Sequence, residues 1–185
     1  MIKEIQKEAD QKMSKAIDAL RHEFASIRTG RASIALLDGI KVNYYNTLTP
    51  LNQMANLTIP EPRMIVIMPW DPSTINEIEK TILKSDLGIN PTNDGKVIRL
   101  AIPQLTEERR KQLVKIVKSK AEESKISIRN IRRDTNERLK NSQKEKKITE
   151  DDYHGAVKDI QKLTDSYIEK IDSILKDKEE EIMEV

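Results

Sequence analysis

The chain has no cysteine. Disulfide frameworks and thiolate chemistry are therefore excluded, and the composition suits a reducing compartment. Aromatic residues make up 3% of the 185 residues, too few for a surface that reads single strands by stacking bases on rings. Glycine occurs five times and never as a Gly-rich phosphate loop, so the chain is not expected to hydrolyse nucleotides. The two histidines, His22 and His154, stand apart on separate helical stretches. An exposed polar role is expected of each, not metal ligation or general-base work. No apolar run approaches the ~20 residues of a membrane span. The opening Met1-Ile2-Lys3-Glu4-Ile5-Gln6-Lys7 lacks both the apolar core of a secretory signal and the composition of a transit peptide. No catalytic set, metal site, cofactor or membrane partner is expected, and the chain is not expected to be an enzyme.

What the chain has in abundance is charge. Asp, Glu, Lys and Arg make up 35% of the residues, yet the formal net charge is only +2. That near balance hides a division: residues 105–147 carry 15 Lys/Arg against 7 Asp/Glu, whereas residues 148–185 carry 5 against 12. A basic face on a long rigid helix is an electrostatic footprint for nucleic acid even in a nearly neutral protein.

Periodicity divides the chain into two parts. In residues 1–29, Ile2, Ile5, Ala9, Met13, Ala16, Leu20, Phe24 and Ile27 recur at steps of three and four, the spacing of one helical face. Gly30 stands as the expected stop. Residues 31–104 read differently, with six of the seven prolines between Pro50 and Pro91. Ile40, Val42 and Tyr44 alternate with polar neighbours as in a half-buried strand, and Leu57 and Ile59 flank Thr58 in another. Met64–Met68 is a continuous apolar run, as expected of a strand covered on both faces. Asp71-Pro72-Ser73 opens a short helix with Ile75, Ile78, Ile82 and Leu83 on its apolar face and Gly88 beyond its end. Asn93-Asp94-Gly95 is a turn, and Ile98, Leu100 and Ile102 alternate in a last strand. Trp70 and the pair Tyr44-Tyr45 are expected to pack locally or in the core.

Helical spacing returns after Leu105. Thr106 is the expected N-cap of a basic helix with an inward stripe of Leu113, Val117, Ala121, Ser124, Ile128, Ile131 and Thr135. After the short Lys146-Lys147-Ile148 connection, Thr149 caps an acidic helix. There Tyr153, Val157, Ile160, Thr164, Tyr167, Ile171 and Ile174 form a heptad-like seam. Three long amphipathic helices must bury their stripes together. The expected fold is α+β: a discontinuous three-helix bundle (residues 1–30 and 105–185) with a small inserted β/α/β sandwich-like domain (residues 31–104). The last two helices should be antiparallel, and the first antiparallel to the basic one. Gly30, Arg31, Pro103 and Gln104 at the two connections are the expected hinge.

On a wheel of roughly 100° per residue, Lys111, Lys118, Lys125, Arg129, Arg132 and Arg133 fall on one side of the basic helix, within about 100° of one another. Two readings stand: a solvated face paired with the acidic helix, or a phosphate-binding stripe, for which the planar arginine fork is well suited. Arg28 and Arg31 flank Gly30, where they serve either as caps at the carbonyl end of the first helix or as further positive contacts. With few aromatics, contact with the backbone of folded or duplex nucleic acid fits better than single-strand recognition.

Several blocks, taken together, carry a resemblance. Arg28-Thr29-Gly30-Arg31-Ala32-Ser33, Leu36-Leu37-Asp38-Gly39-Ile40 with Tyr44-Tyr45, and Thr49-Pro50-Leu51 stand in the first half. Ser85-Asp86-Leu87-Gly88 with Asn90-Pro91, Leu105–Lys111, Arg129-Asn130-Ile131-Arg132-Arg133-Asp134 and Lys162-Leu163-Thr164-Asp165 follow in order. The sequence resembles the bacterial ribosome recycling factor family along essentially its whole length. Asn46 departs from the glycine expected after the tyrosine pair, a substitution that a left-handed turn tolerates. The resemblance implies an L-shaped protein that acts between ribosomal subunits; a monomer is expected, and the bacterial cytoplasm because no transit segment is present. Its bundle would lie against large-subunit ribosomal RNA. With elongation factor G and GTP it would split the post-termination ribosome and free messenger and transfer RNA. The resemblance also makes Arg132 a principal RNA contact and places Arg28, Arg31, Arg129 and Arg133 near the same surface; Lys118 and Lys125 extend the stripe. The competing reading is a coiled-coil-like structural adaptor that binds a protein partner through its charged helices.

Overall fold

The computed structural model describes residues 1–184. In chain order these form helix α1 (Ile2–Ser26), strands β1 (Lys41–Tyr44), β2 (Thr47–Pro50), β3 (Ala55–Glu61) and β4 (Met64–Pro69), and helix α2 (Ile75–Lys84). Strands β5 (Pro91–Asn93) and β6 (Ile98–Ala101) and helices α3 (Glu107–Lys144) and α4 (Glu150–Met183) complete them. The chain separates into two compact units: Met1–Phe24 with Arg110–Glu180, and Ala25–Arg109 with the stretch from Glu181 onward.

The first unit is helical because its stripes have nowhere else to go. α1 buries Ile5, Ala9, Met13, Ile17, Leu20 and Phe24. Ile17, not the expected Ala16, occupies the seam between Met13 and Leu20, since the bulkier side chain gains more from leaving water. α3 buries Leu113, Val117, Ala121, Ser124, Ile128, Thr135 and Leu139, with Ile131 half-buried. α4 contributes Ala156, Ile160, Thr164, Tyr167 and Ile171. Two polar seam residues bond within their own helices, Thr135 Oγ1 donating to Ile131 O (2.7 Å) and Thr164 Oγ1 to Ile160 O (2.8 Å), whereas the buried Ser124 Oγ has no partner among the described residues.

Side-chain bonds fix the helix directions. Gln6 reaches Asp159 and Asp10 reaches Tyr167, so α1 and α4 run parallel. Glu23 pairs with Lys120 and Glu8 with Arg138, so α1 and α3 run antiparallel. Both expected caps form. Thr106 Oγ1 accepts from the Arg109 N–H (3.1 Å), and Thr149 Oγ1 from the Asp152 N–H (3.0 Å). Asp152 bonds back to the Thr149 N–H, closing a reciprocal cap.

The second unit combines a β1–β2 hairpin with a four-stranded antiparallel sheet in the order β3-β4-β6-β5. Tyr45 (φ 47°) and Asn46 (φ 63°) form the two-residue hairpin turn in the left-handed region, which Asn46 tolerates. Val42, Leu51, Ile65, Ile67, Ile78, Ile82, Ile98 and Leu100 are almost fully buried in one core. Asp71 organises the approach to α2: its Oδ1 accepts from the Ser73 N–H (3.0 Å) and Oγ (2.7 Å), which holds its carboxyl below the usual range.

Three expectations need correction, and a fourth narrows. α1 ends at Ser26, and Gly30 does not have positive φ, so Gly30 is not its left-handed stop. β4 is fully buried on one face only: Ile65 and Ile67 are buried, whereas on the other face Met64 and Val66 are half-buried and Met68 is 48% exposed. Apolar run length misled because the outward residues of β4 are themselves apolar. Leu83 is 56% exposed, since one step beyond Ile82 rotates it off the buried face of α2. Of the two roles expected of Trp70, the local one holds and the core one does not: it is 60% exposed, with its indole Nε1 donating to Asn56 Oδ1 (3.0 Å).

Candidate nucleic-acid interface

The basic side of α3 faces two different environments. Toward α4, Lys118 Nζ lies 3.8 Å from Glu179 and Lys125 Nζ 2.6 Å from Asp172. A step of seven residues along α3 is a step back of seven along α4, the register of an antiparallel pair. Lys125 also approaches Glu122 (3.5 Å), and its side chain is only 15% exposed. The Asp172 hydrogen bond, opposed by desolvation, raises its pKa. Lys125 therefore serves interhelical pairing, and its charge is partly spent inside the protein; Lys118, 61% exposed, is only loosely paired.

One heptad further, the pattern changes. Arg132 is half-buried at the border of the apolar stripe, as the wheel requires. It pairs with no carboxylate among the described residues; its Nη1 donates to the neutral Gln161 Oε1 (3.2 Å). Gln161 Nε2 in turn donates to Asp165 Oδ1 (2.9 Å). Arg129 is exposed and makes no ion pair or hydrogen bond with a described residue. Arg133 is 72% exposed, with one long contact to the adjacent Asp134 (3.4 Å). The structure thus brings Arg129, Arg132 and Arg133 together as a cluster whose charge is poorly compensated, and distinguishes it from the half-buried, paired Lys125. Gln161 and Asp165 were not anticipated as part of this site. The signal that could have found them is the heptad step from Asp172 to Asp165 opposite the step from Lys125 to Arg132.

The two arginines before the small domain are engaged locally. Arg28 donates Nη1 to Leu87 O (2.7 Å) and Nη2 to Asp86 O (3.0 Å), so it neither caps α1 nor presents an unencumbered fork. Arg31 is ion-paired with Glu184, both about half exposed. Gly30 is half-buried, while Pro103 and Gln104 are exposed. His22 and His154 are exposed; His154 approaches Glu150 at 3.5 Å. Among the described residues no group of His, Cys, Asp and Glu could hold a metal ion, and no helix is long and apolar enough to cross a membrane.

Comparisons with known proteins agree with this geometry. The family described as Ribosome recycling factor matches residues 20–183. The ribosome-recycling factor of Syntrophomonas wolfei subsp. wolfei is 58% identical over 185 residues, covering all of both chains. That of Bacillus subtilis is 55% identical over the same full length. A solution structure of the ribosome recycling factor superposes with a TM-score of 0.77 at 41% identity, covering 100% of this chain and 98% of the other. A second structure, described as models for the T. thermophilus ribosome recycling factor and the E. coli elongation factor G bound to the E. coli post-termination complex, gives a TM-score of 0.68. It is 46% identical over 99% of both chains. Full-length identity, the order of the blocks and the shared α+β fold have one consequence: the chain belongs to the ribosome recycling factor family.

Proposed function

We propose that this protein is a translation factor that acts with elongation factor G and GTP on the post-termination ribosome. It splits the ribosome into subunits and releases messenger and transfer RNA. The chain has no nucleotide-binding loop of its own, so the energy must come from the partner's GTP. The bundle contacts large-subunit ribosomal RNA through α3, acting as a single chain in the cytoplasm. The observation that carries the RNA contact is the arginine cluster: Arg129 and Arg133 are exposed, and Arg132 meets a neutral amide. Arginine forks with unsatisfied donors suit phosphate oxygens. The passages at Gly30-Arg31 and Pro103-Gln104 are proposed to flex during the reaction. The protein-adaptor reading is weaker, because two of the α4 acids, Asp172 and Glu179, already face Lys125 and Lys118 within the bundle.

Binding to purified large ribosomal subunits across a salt series tests the contact. A phosphate-dominated interface weakens steeply as salt rises; salt-insensitive binding rejects it. Light scattering of post-termination ribosomes tests the activity, which should need this protein, elongation factor G and GTP together.

A further inference from the structure

The ladder between α3 and α4 has a missing rung. Lys118 meets Glu179 and Lys125 meets Asp172. The next step of seven places Arg132 opposite Asp165, yet no ion pair joins them. Gln161, one turn before Asp165 on α4, occupies both groups: its carbonyl takes the Arg132 Nη1 hydrogen (3.2 Å), and its amide donates to Asp165 (2.9 Å). The two bonds fix the amide's orientation, because the carboxylate can only accept and the guanidinium can only donate.

We infer that Gln161 is a positioning residue that keeps the Arg132 charge available to RNA. It holds the guanidinium with a neutral acceptor and holds Asp165 away from it. A direct Arg132–Asp165 pair would neutralise the arginine and compete with a phosphate for the same donors. One N–H is used by Gln161, and the remaining donors of the fork stay open. This inference rests on the reading of Arg132 as an RNA contact given above.

The test measures affinity for large ribosomal subunits, its salt dependence and the thermal midpoint in parallel. Gln161→Ala releases Asp165 to capture Arg132 and should weaken binding about three- to tenfold, the scale of one hydrogen bond. Gln161→Glu neutralises the arginine directly and should also lower the salt slope by about one phosphate contact. The double variant Gln161→Ala with Asp165→Ala removes the captor and should recover affinity to near the native value. A residue with a merely structural role would lower the thermal midpoint and leave the salt slope alone. Native-like binding by both single variants overturns the inference, as does a double variant no tighter than Gln161→Ala. Arg132→Ala separates the two levels. If it weakens binding while the Gln161 variants do not, only the positioning role fails. If Arg132→Ala itself binds like the native protein, the RNA-contact reading fails and this inference with it.

Discussion

Tyr167 of α4 donates its phenolic hydrogen to Asp10 Oδ1 of α1 across 2.5 Å, and the residue is only 6% exposed. The bond ties the two parallel helices at mid-bundle. Burial, then the Asp10 hydrogen bond and its negative charge, push the phenol up to about 12. Folding therefore favours the neutral phenol. Its contribution to stability is full below the unfolded value of about 10 and is lost as pH rises through the folded value. Urea unfolding at a series of alkaline pH values should show stability falling across that window. Tyr167→Phe should be less stable at neutral pH by about 1 kcal/mol and should lose much of the alkaline dependence. An unchanged alkaline slope in the variant would remove Tyr167 as its source.

Residues of one basic stripe should separate into two classes. Arg129 has no partner among the described residues, whereas Lys125 is 15% exposed and bound to Asp172. Arg129→Ala should leave the thermal midpoint unchanged and reduce the salt slope of ribosome binding by about one contact. Lys125→Ala leaves Asp172 without its partner at the α3–α4 seam, so its effect should fall mainly on stability. Arg132→Ala should cost about 1.5–3 kcal/mol in binding, the scale of a charged hydrogen bond, with the helicity intact. Equal binding losses for Arg129→Ala and Lys125→Ala would erase the distinction.

Trp70 reports on the surface just beyond β4. It is the only tryptophan in the chain, and 60% of it is exposed. Its native fluorescence should be accessible to iodide, and unfolding should change that accessibility little. Asn56→Ala removes the indole's acceptor and should alter the emission without unfolding the small unit. Protection of the native indole from iodide would contradict its placement.

Elements with a single buried stripe were legible in the sequence. Most of the seams of α1, α3 and α4, the Thr106 and Thr149 caps and the Asn93-Asp94-Gly95 turn follow from period and local hydrogen-bonding chemistry, though Ile17 replaces Ala16 in α1 and Ala156 is buried where Val157 is only half-buried in α4. β2 was missed because Thr47–Pro50 has no alternating apolar pattern and only pairing with β1 makes it a strand. The outward face of β4 was misjudged because its exposed residues, Met68 among them, are as apolar as its buried ones. The arginine cluster was legible as position on a wheel, but its state of compensation was not. Whether Lys125 meets Asp172 or Arg132 meets Gln161 depends on the interhelical register, which one helix's sequence does not contain.

The same substitution should have opposite signs at two glycines. Gly95 closes the β5–β6 turn at φ +89°, and a Cβ there would meet nothing within 4 Å. Its N–H donates to Asn93 Oδ1 (2.8 Å), while Asp94 Oδ1 accepts from the N–H groups of Lys96 (2.9 Å) and Val97 (2.8 Å). The Val97 and Lys96 bonds, together with Arg99, hold the Asp94 carboxyl well below the usual carboxylate range. The turn is thus locked in a backbone conformation that alanine resists, and Gly95→Ala should destabilise by about 1–2 kcal/mol from backbone strain alone. Gly155 lies within α4, without positive φ and likewise with open space at its Cβ position. Gly155→Ala removes conformational freedom from the unfolded chain and improves helix propensity, so it should stabilise by about 0.5–1 kcal/mol. Chemical denaturation of both variants reads the two effects directly. A stabilising Gly95→Ala would show that the turn can relax out of its left-handed geometry, and a destabilising Gly155→Ala would mean that the exposed face of α4 is not open there.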